Sequence, residues 1–298
     1  MPLDVYQTVT DKVLAALESG TPPWRDPILT RYTAEAPQNL ATGRHYRGCN
    51  VFLLAITAMV DGYSSNHWLT FRQANALGGS IRKGEKGSLV IFWKPKMVKD
   101  RETGEDKKIF ILRYYTVFNA EQCDLPEDKR PAPVESPATR PIPFEPIACC
   151  EAVVDAYEGP DIVQNGSQAF YRPLTDQVHI PVMDAFTSAD FYYATLFHEL
   201  AHSTGHSSRL DRGLDTKLAA FGSADYSKEE LVAEMTAAFL CGHTGIDPAT
   251  LENQAAYLQG WIKALKGDKR LVVHAGGQAQ RAADLILGLT PEPVNQEA

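Results

Sequence analysis

Apolar residues at Val5, Val9, Val13, Leu14 and Leu17 recur at helical spacing and stop at Gly20, with Pro22 and Pro23 just beyond. This pattern predicts an amphipathic opening helix. A denser apolar run, Val51–Val60, predicts a second helix that starts after Asn50 and ends at Gly62. It is far short of the roughly 20 residues that span a bilayer, so it reads as a buried helix. The period then changes. Ser88–Trp93 and Ile109–Phe118 are rich in β-branched and aromatic residues and are separated by the charged, glycine-containing stretch Lys99–Lys108, as paired strands would be. Asp124–Ile147 holds seven of the 19 prolines and few large apolar residues, which predicts a semi-rigid linker. Beyond it the pattern predicts a helix over Cys149–Tyr157 and short strands at Gln168–Pro173 and Gln177–Val182 around a Leu174-Thr175-Asp176 turn. Helices follow at Ala189–Thr204, Lys228–Cys241, Glu252–Leu265 and Gln278–Leu287. Strands before helices in each half predict an α+β fold.

A chain of 298 residues exceeds what one ordinary core organises, and the linker divides it into 1–125, 126–147 and 148–290. With 44% apolar and 22% charged residues the composition is that of a soluble globular protein. The five cysteines are odd in number and form no C-x-x-C pair, so neither a disulfide framework nor a thiolate zinc site is expected, and a reducing cytoplasm fits. The first 17 residues lack a basic segment ahead of an apolar one, unlike a secretory signal. The net charge of −8 argues against a nucleic-acid binder, but the charge is unevenly spread. Residues 1–125 hold 16 Lys and Arg against 13 Asp and Glu, and between Arg44 and Lys99 the count is nine to two. The remaining 173 residues carry −11.

In the acidic half, His198-Glu199-Leu200-Ala201-His202 is an H-E-x-x-H pattern. Four helical residues rotate by about 40°, so both imidazoles share one face and can grip one ion, with Glu199 over its open side. The context favours a helix: Ser188 is a plausible N-cap, Tyr192, Leu196 and Leu200 make an apolar face, and Gly205 can end it. Such sites take a third protein ligand. His206 is four residues past His202, but three histidines on consecutive turns drift around a helix that should stop at Gly205. An acidic residue on the next strong helix is better placed. There Glu230 is the chosen ligand, with Glu234 orienting a histidine from behind. Glu229 points elsewhere on that wheel, and Glu229 and Glu234 remain alternative ligands. A Zn²⁺ or another divalent ion on His198, His202 and Glu230, with Glu199 as the proton carrier, is the apparatus of peptide hydrolysis. An oxyanion-stabilising Tyr or His is expected nearby, with His179, Tyr192, Tyr193, His206 and Tyr226 all candidates.

The basic half interleaves cations with aromatic rings, the combination that tracks phosphates and stacks unpaired bases. Arg44, Tyr46, Arg47 and Asn50 fall in Gly43–Asn50, and Trp68, Arg72 and Gln73 in His67–Gln73. Arg82, Lys83 and Lys86 fall in the glycine-rich stretch Gly78–Gly87, and Trp93 and Lys94 at the end of the following strand. These twelve are the candidate DNA contacts. Aromatic residues near cations are equally often core and snorkelling surface, which periodicity alone does not separate.

The stretches GRHYRGCN, WLTFRQA, GGSIRKGEKG and YTVFNAEQC resemble the N-terminal domain shared by ArdC-type plasmid antirestriction proteins and TraC-type primases. FYYATLFHELAHSTGHSSRLDR, EELVAEMTAAFLC and GGQAQRAADLILG resemble the zincin-like metallopeptidase domain that accompanies it. The resemblance is co-linear from about Tyr6 to Gly288. It implies a mixed α/β single-stranded DNA-binding domain followed by a zincin-like domain with a small sheet and several helices. It also implies a cytoplasmic protein that binds single-stranded DNA and protects incoming conjugative plasmid DNA from host restriction endonucleases. The peptidase would act on a DNA-associated protein or on an endonuclease, with no membrane partner. Primase activity is not among the expectations, since no primase catalytic domain is read in these residues. Two other readings stay open: a cytoplasmic zinc metallopeptidase acting independently of DNA, and a DNA-coating protein with a catalytically silent metal site.

Overall fold

The structure is a computed structural model and describes residues 3–20, 36–100, 104–131, 146–214, 224–246 and 254–290. Most of the proline-rich stretch lies outside them. Helix α1 (Val5–Glu18) is capped by Asp4, which accepts from the Gln7 N–H, and buries Val9, Val13, Leu14 and Leu17 along one stripe. Helix α2 (Cys49–Asp61) buries Val51 to Ala58 without interruption and ends at Gly62, whose φ of +75° suits glycine. Both helices form where the apolar period places them.

The first sheet has four strands in the order β1-β2-β5-β4. They are β1 (Gln38–Asn39), β2 (His67–Leu69), β4 (Ser88–Lys99) and β5 (Asp106–Asn119), with β1 and β2 parallel and the rest antiparallel. The β4–β5 ladder runs from Ser88 opposite Val117 to Lys99 opposite Asp106. Both ends of the charged stretch expected to separate the strands, Lys99 and Asp106–Lys108, are therefore strand, because cations tolerate a solvent-facing pleat. Between β2 and β4 lie the short helix α3 (Phe71–Ala76) and β3 (Ser80–Ile81). β3 pairs with β6 (Cys123–Asp124), so the glycine-rich stretch is more than a turn and Asp124 belongs to a strand.

After α4 (Pro146–Ala156), a second sheet has the order β7-β9-β8. β8 (Phe170–Arg172) and β9 (Gln177–Ile180) are the two strands expected around the turn, and β7 (Asp161–Gln164) is a third, parallel to β9. Its four residues are too few for a period-2 signal. Helices α5 (Ala189–Ser203), α6 (Ala224–Thr244), α7 (Gln254–Gly267) and α8 (Leu271–Ile286) complete the chain. α8 starts about two turns before the expected Gln278, so Gly276 and Gly277 lie inside it.

The largest core joins the two ends of the chain. Val9, Val13 and Leu17 of α1 and Val51, Phe52 and Ile56 of α2 pack with Leu231 and Met235 of α6, Trp261 of α7 and Val272 and Ala279 of α8. A second cluster joins α4, α5 and β9 to Leu240 and Cys241 of α6 and Ile286 of α8. α8 thus touches both. A Cβ on Gly276 would sit 2.7 Å from the Cys49 backbone nitrogen, so glycine is needed where α8 crosses the start of α2. Among the described residues no helix is long and apolar enough to cross a membrane.

Candidate metal centre and nucleic-acid surface

α5 starts at Ser188, whose hydroxyl accepts from the Phe191 N–H at 3.1 Å, as its sequence predicts. Tyr192, Leu196, Phe197 and Leu200 anchor it in the second core. That leaves His198 and His202 on the face turned to α6, and both imidazoles point Nε2 at the same spot, 3.1 Å apart. Glu230, in the second turn of α6, completes the group: Oε2 lies 3.5 Å from His198 Nε2 and Oε1 3.4 Å from His202 Nε2. For a tetrahedral ion with bonds of about 2.0–2.1 Å, ligand atoms are separated by about 1.6 times that length, roughly 3.3–3.4 Å. The gap between the nitrogens and the gap from each nitrogen to its own oxygen of Glu230 are near that edge, one ligand atom from each residue lies within 4.8 Å of the others, and the donor set of two imidazoles and a carboxylate is one that fits a divalent ion.

The outer nitrogens are backed as well. Glu234 Oε1 is 3.8 Å from His198 Nδ1. Glu229 corrects the helical-wheel reading: it does not point away but lies with Oε1 3.3 Å from His202 Nδ1. Near the start of a helix that packs across α5, adjacent carboxylates reach opposite sides of one imidazole, which a single-helix projection does not show. Glu229 is held in turn by Arg212, whose Nε donates to Oε2 at 2.9 Å and Nη2 to Oε1 at 2.6 Å. The same guanidinium donates to Thr204 Oγ1 and to the Ala201 carbonyl, bolting the last turn of α5 to α6. Gly205 makes room for it, since a Cβ there would meet Leu214 at 2.6 Å and Arg212 Nη2 at 3.0 Å. Arg212 escaped the sequence reading, because its partners lie on two helices and nothing local marks it.

Charge and burial here oppose each other. Burial alone would depress His202, but the Glu230 charge and hydrogen bonds to Glu229 and Glu230 hold it well above its ordinary value. His198 is raised for the same reasons, burial opposing and Glu230 prevailing. Glu230, which burial would raise, is held far below the usual carboxylate range by the two imidazoles. Glu199 is buried beside them, and its charge acts on both.

Three of the five candidates for an oxyanion partner are engaged elsewhere. Tyr192 Oη accepts from Gln164, Tyr193 Oη donates to Glu151, and His206 Nδ1 pairs with Ser208 outside the ligand group. His179 stacks on Phe170 with Nδ1 on Asn165, and its buried Nε2 has no partner. Tyr226 lies at the start of α6.

The twelve DNA candidates divide by burial. Trp68 and Tyr46 are core residues packed with Leu54 and Val90, so neither offers a ring face. Asn50 brackets Ile91 on the outer edge of β4, donating to its carbonyl and accepting from its N–H at 2.8 Å each. Gln73 closes a capping box with Thr70 and bonds Asn39. Arg47 pairs with the buried Asp284 of α8, and the Gly48 N–H donates to Gln280, so this segment ties the two halves of the chain together. Arg82 is exposed and reaches Glu85 and the Glu121 carbonyl. Arg44, Arg72, Lys83, Lys86, Trp93 and Lys94 are exposed. The exposed Phe71, Phe110 and Tyr114 were not among the candidates.

An N-terminal α/β unit packed on a helical centre of the H-E-x-x-H kind defines a protein of the zincin-like class with an accessory domain. A family model for zincin-like metallopeptidases matches residues 149–278, and one for the N-terminal domain of the anti-restriction factor ArdC matches residues 3–118. Crystal structures of the antirestriction ArdC protein from plasmid R388 superpose with a TM-score of 0.75 in both a metal-free and a Mn(II)-bound form. They are 41% and 39% identical, covering 95% and 96% of this chain and 97% and 98% of theirs. The uncharacterized protein y4eC of Sinorhizobium fredii is 36% identical over 294 residues, 95% of this chain and 91% of its own. The DNA primase TraC of Escherichia coli is 35% identical over 98% of this chain, which spans only 28% of the primase. The chain belongs to the ArdC antirestriction family.

Proposed function

We propose that this protein binds single-stranded DNA through residues 1–125 and protects incoming conjugative plasmid DNA from host restriction endonucleases in the cytoplasm. In this reading residues 126–147 connect that unit to a zinc-dependent metallopeptidase of residues 148–290. Family membership and the basic N-terminal half support the DNA-binding role. The observation that carries the enzymatic part is the convergence of His198 Nε2, His202 Nε2 and the Glu230 carboxylate, one ligand atom from each lying within 4.8 Å of the others.

His198, His202 and Glu230 would hold Zn²⁺, or the Mn²⁺ found in the R388 protein. The bound ion supplies Lewis acidity, polarising a peptide carbonyl and lowering the pKa of a water. Glu199, buried beside the two imidazoles, accepts the water's proton and returns it to the leaving amine. Glu229 accepts from the Nδ1–H of His202, fixing the tautomer that presents its Nε2 as a lone pair, and the Glu234 carboxylate stands 3.8 Å behind His198 Nδ1. The substrate is a DNA-associated protein or a restriction endonuclease.

Glu199→Gln keeps the ligands and removes the proton carrier. It should abolish cleavage of proteins bound to single-stranded DNA while leaving metal content and DNA affinity intact. Unchanged cleavage by the purified variant would overturn the assignment. Plasmid transfer into a restricting host, scored with the same variant, separates protection by proteolysis from protection by coating the DNA.

A further inference from the structure

The β4–β5 hairpin outruns its sheet. β2 pairs with β5 only at Phe118 and Asn119, so from Val117 outward the two strands are paired only with each other. A two-stranded ribbon is marginal by itself, and only its base is anchored, through Val90 and Val117 on one side and Leu89, Ile91 and Leu112 on the other. Along the whole ladder residues opposite each other share a face, as do residues two apart, so the face that carries the Leu89, Ile91 and Leu112 anchors, with the Trp93 ring 6.2 Å from that of His274, continues outward along the hairpin. The register therefore puts Tyr114, Trp93, Phe110 and Met97 on one face, where they are 44, 39, 59 and 58% exposed. Three of the five exposed aromatic side chains among the described residues stand here.

Their spacing is regular. Tyr114 lies opposite Ile91, Leu112 opposite Trp93, and Phe110 opposite Pro95. The rings thus succeed one another at levels two residues apart, about 6.8 Å at 3.4 Å per residue, a step an extended polynucleotide can match. The two strands carry six cations and a single carboxylate, Asp106, at the turn. Lys108 stands on the ring face with its Nζ 5.6 Å from the centre of the Phe110 ring. Lys94, Lys96, Lys107 and Arg113 are exposed on the opposite face of a ribbon only two strands wide, so they can reach around its edges. An added peptide strand is disfavoured on the β4 edge by Pro95 and its flanking lysines.

We infer that the ring-bearing face of this hairpin is where single-stranded DNA lies, with successive bases stacked on Tyr114, Trp93 and Phe110 and the hairpin lysines following the phosphates. The inference rests on the DNA-binding reading above and assigns it a surface. It moves the contact away from Tyr46 and Trp68 and onto Phe110, Tyr114 and Lys108, which had no assigned role.

The test is fluorescence anisotropy of a labelled oligothymidylate with the full chain, comparing wild type with Phe110→Ala, Tyr114→Ala and Trp93→Ala. Each ring lost should weaken binding about five- to a hundred-fold, while Trp93→Phe and Tyr114→Phe stay close to wild type. Lys96→Gln with Lys107→Gln should lower affinity and flatten its salt dependence. The side chains are exposed, and thermal melts verify that each variant folds. Wild-type binding with all three alanine variants within two-fold of it would overturn the hairpin assignment and leave the DNA-binding reading standing. A change of oligomeric state in those variants with unchanged DNA affinity would overturn it in favour of contact between copies. Failure of the wild type to bind at all would sink both.

Discussion

Replacing Arg212 with methionine keeps most of the side-chain stem and removes the guanidinium that holds Glu229. Both partners are well buried, at 8% and 15% side-chain exposure. The substitution strands Glu229 in a region whose other acids, Glu199, Glu230 and Glu234, are also buried. Removing one partner of a buried ion pair costs about 3–5 kcal/mol, because the remaining charge stays desolvated and unpaired. At about 2–4 °C per kcal/mol for a chain of this size, the melting temperature should fall by roughly 6–20 °C. Arg212→Met with Glu229→Gln removes both charges and should recover most of the loss, a coupling that a double-mutant cycle isolates. His202 also loses the carboxylate geometry behind its Nδ1, so affinity for Zn²⁺, measured by titration calorimetry, should drop about 10–100-fold. If Arg212→Met melts within 2 °C of the wild type and binds Zn²⁺ equally well, Arg212 does not position His202 and the clamp reading is refuted.

A parallel clamp gives a pH dependence. Arg209 donates to both oxygens of Asp176 and holds its carboxyl below the usual carboxylate range. A depressed folded-state pKa contributes stability that is present above the unfolded pKa and lost as pH falls through the folded one. Chemical-denaturant curves for Asp176→Asn should therefore lie about 1.5–3 kcal/mol below the wild type at neutral pH and converge with it in acid. Asparagine also tolerates the φ of +49° at this position. Gly276→Val drives a side chain into Cys49 and should destabilise by about 1–3 kcal/mol, with Gly277→Ala, whose Cβ meets nothing, as the neutral control in the same melts. The Cys49 thiol is buried and pushed up to about 12, and those of Cys123 and Cys150 to about 11. In the folded protein Cys149, which is half-buried, should alkylate first, as peptide mapping would show.

How far the sequence reading reached varies with the range of the interaction that decides each feature. α1, α2 and α5 follow their apolar periods and caps, because a helix with one buried stripe writes that stripe every three or four residues. β7 left no trace, since four residues cannot establish alternation and its partner β9 lies 16 positions on. Glu230 could be proposed as a third ligand, with Glu229 and Glu234 as alternatives, because the helical wheel puts it with Glu234 on one side of the next helix beside the small Ala237 and Cys241. The orientation of Glu229 could not be read, because it depends on how α6 crosses α5.

The basic stretch Gly43–Asn50 draws the distinction most sharply. Its arginines and aromatic rings have the composition of a nucleic-acid surface, yet Tyr46 is core, Asn50 brackets an edge strand and Arg47 holds Asp284, 237 positions away. Local composition determined the elements, the H-E-x-x-H face and the family, because each is written in neighbouring residues. Only the tertiary structure decided which cations pin helices and which meet solvent, that α8 joins the two halves, and that Arg212 stands behind His202. Burial and ion pairing belong to partners brought together from distant parts of the chain, and an arginine's letter is the same on either side of that choice.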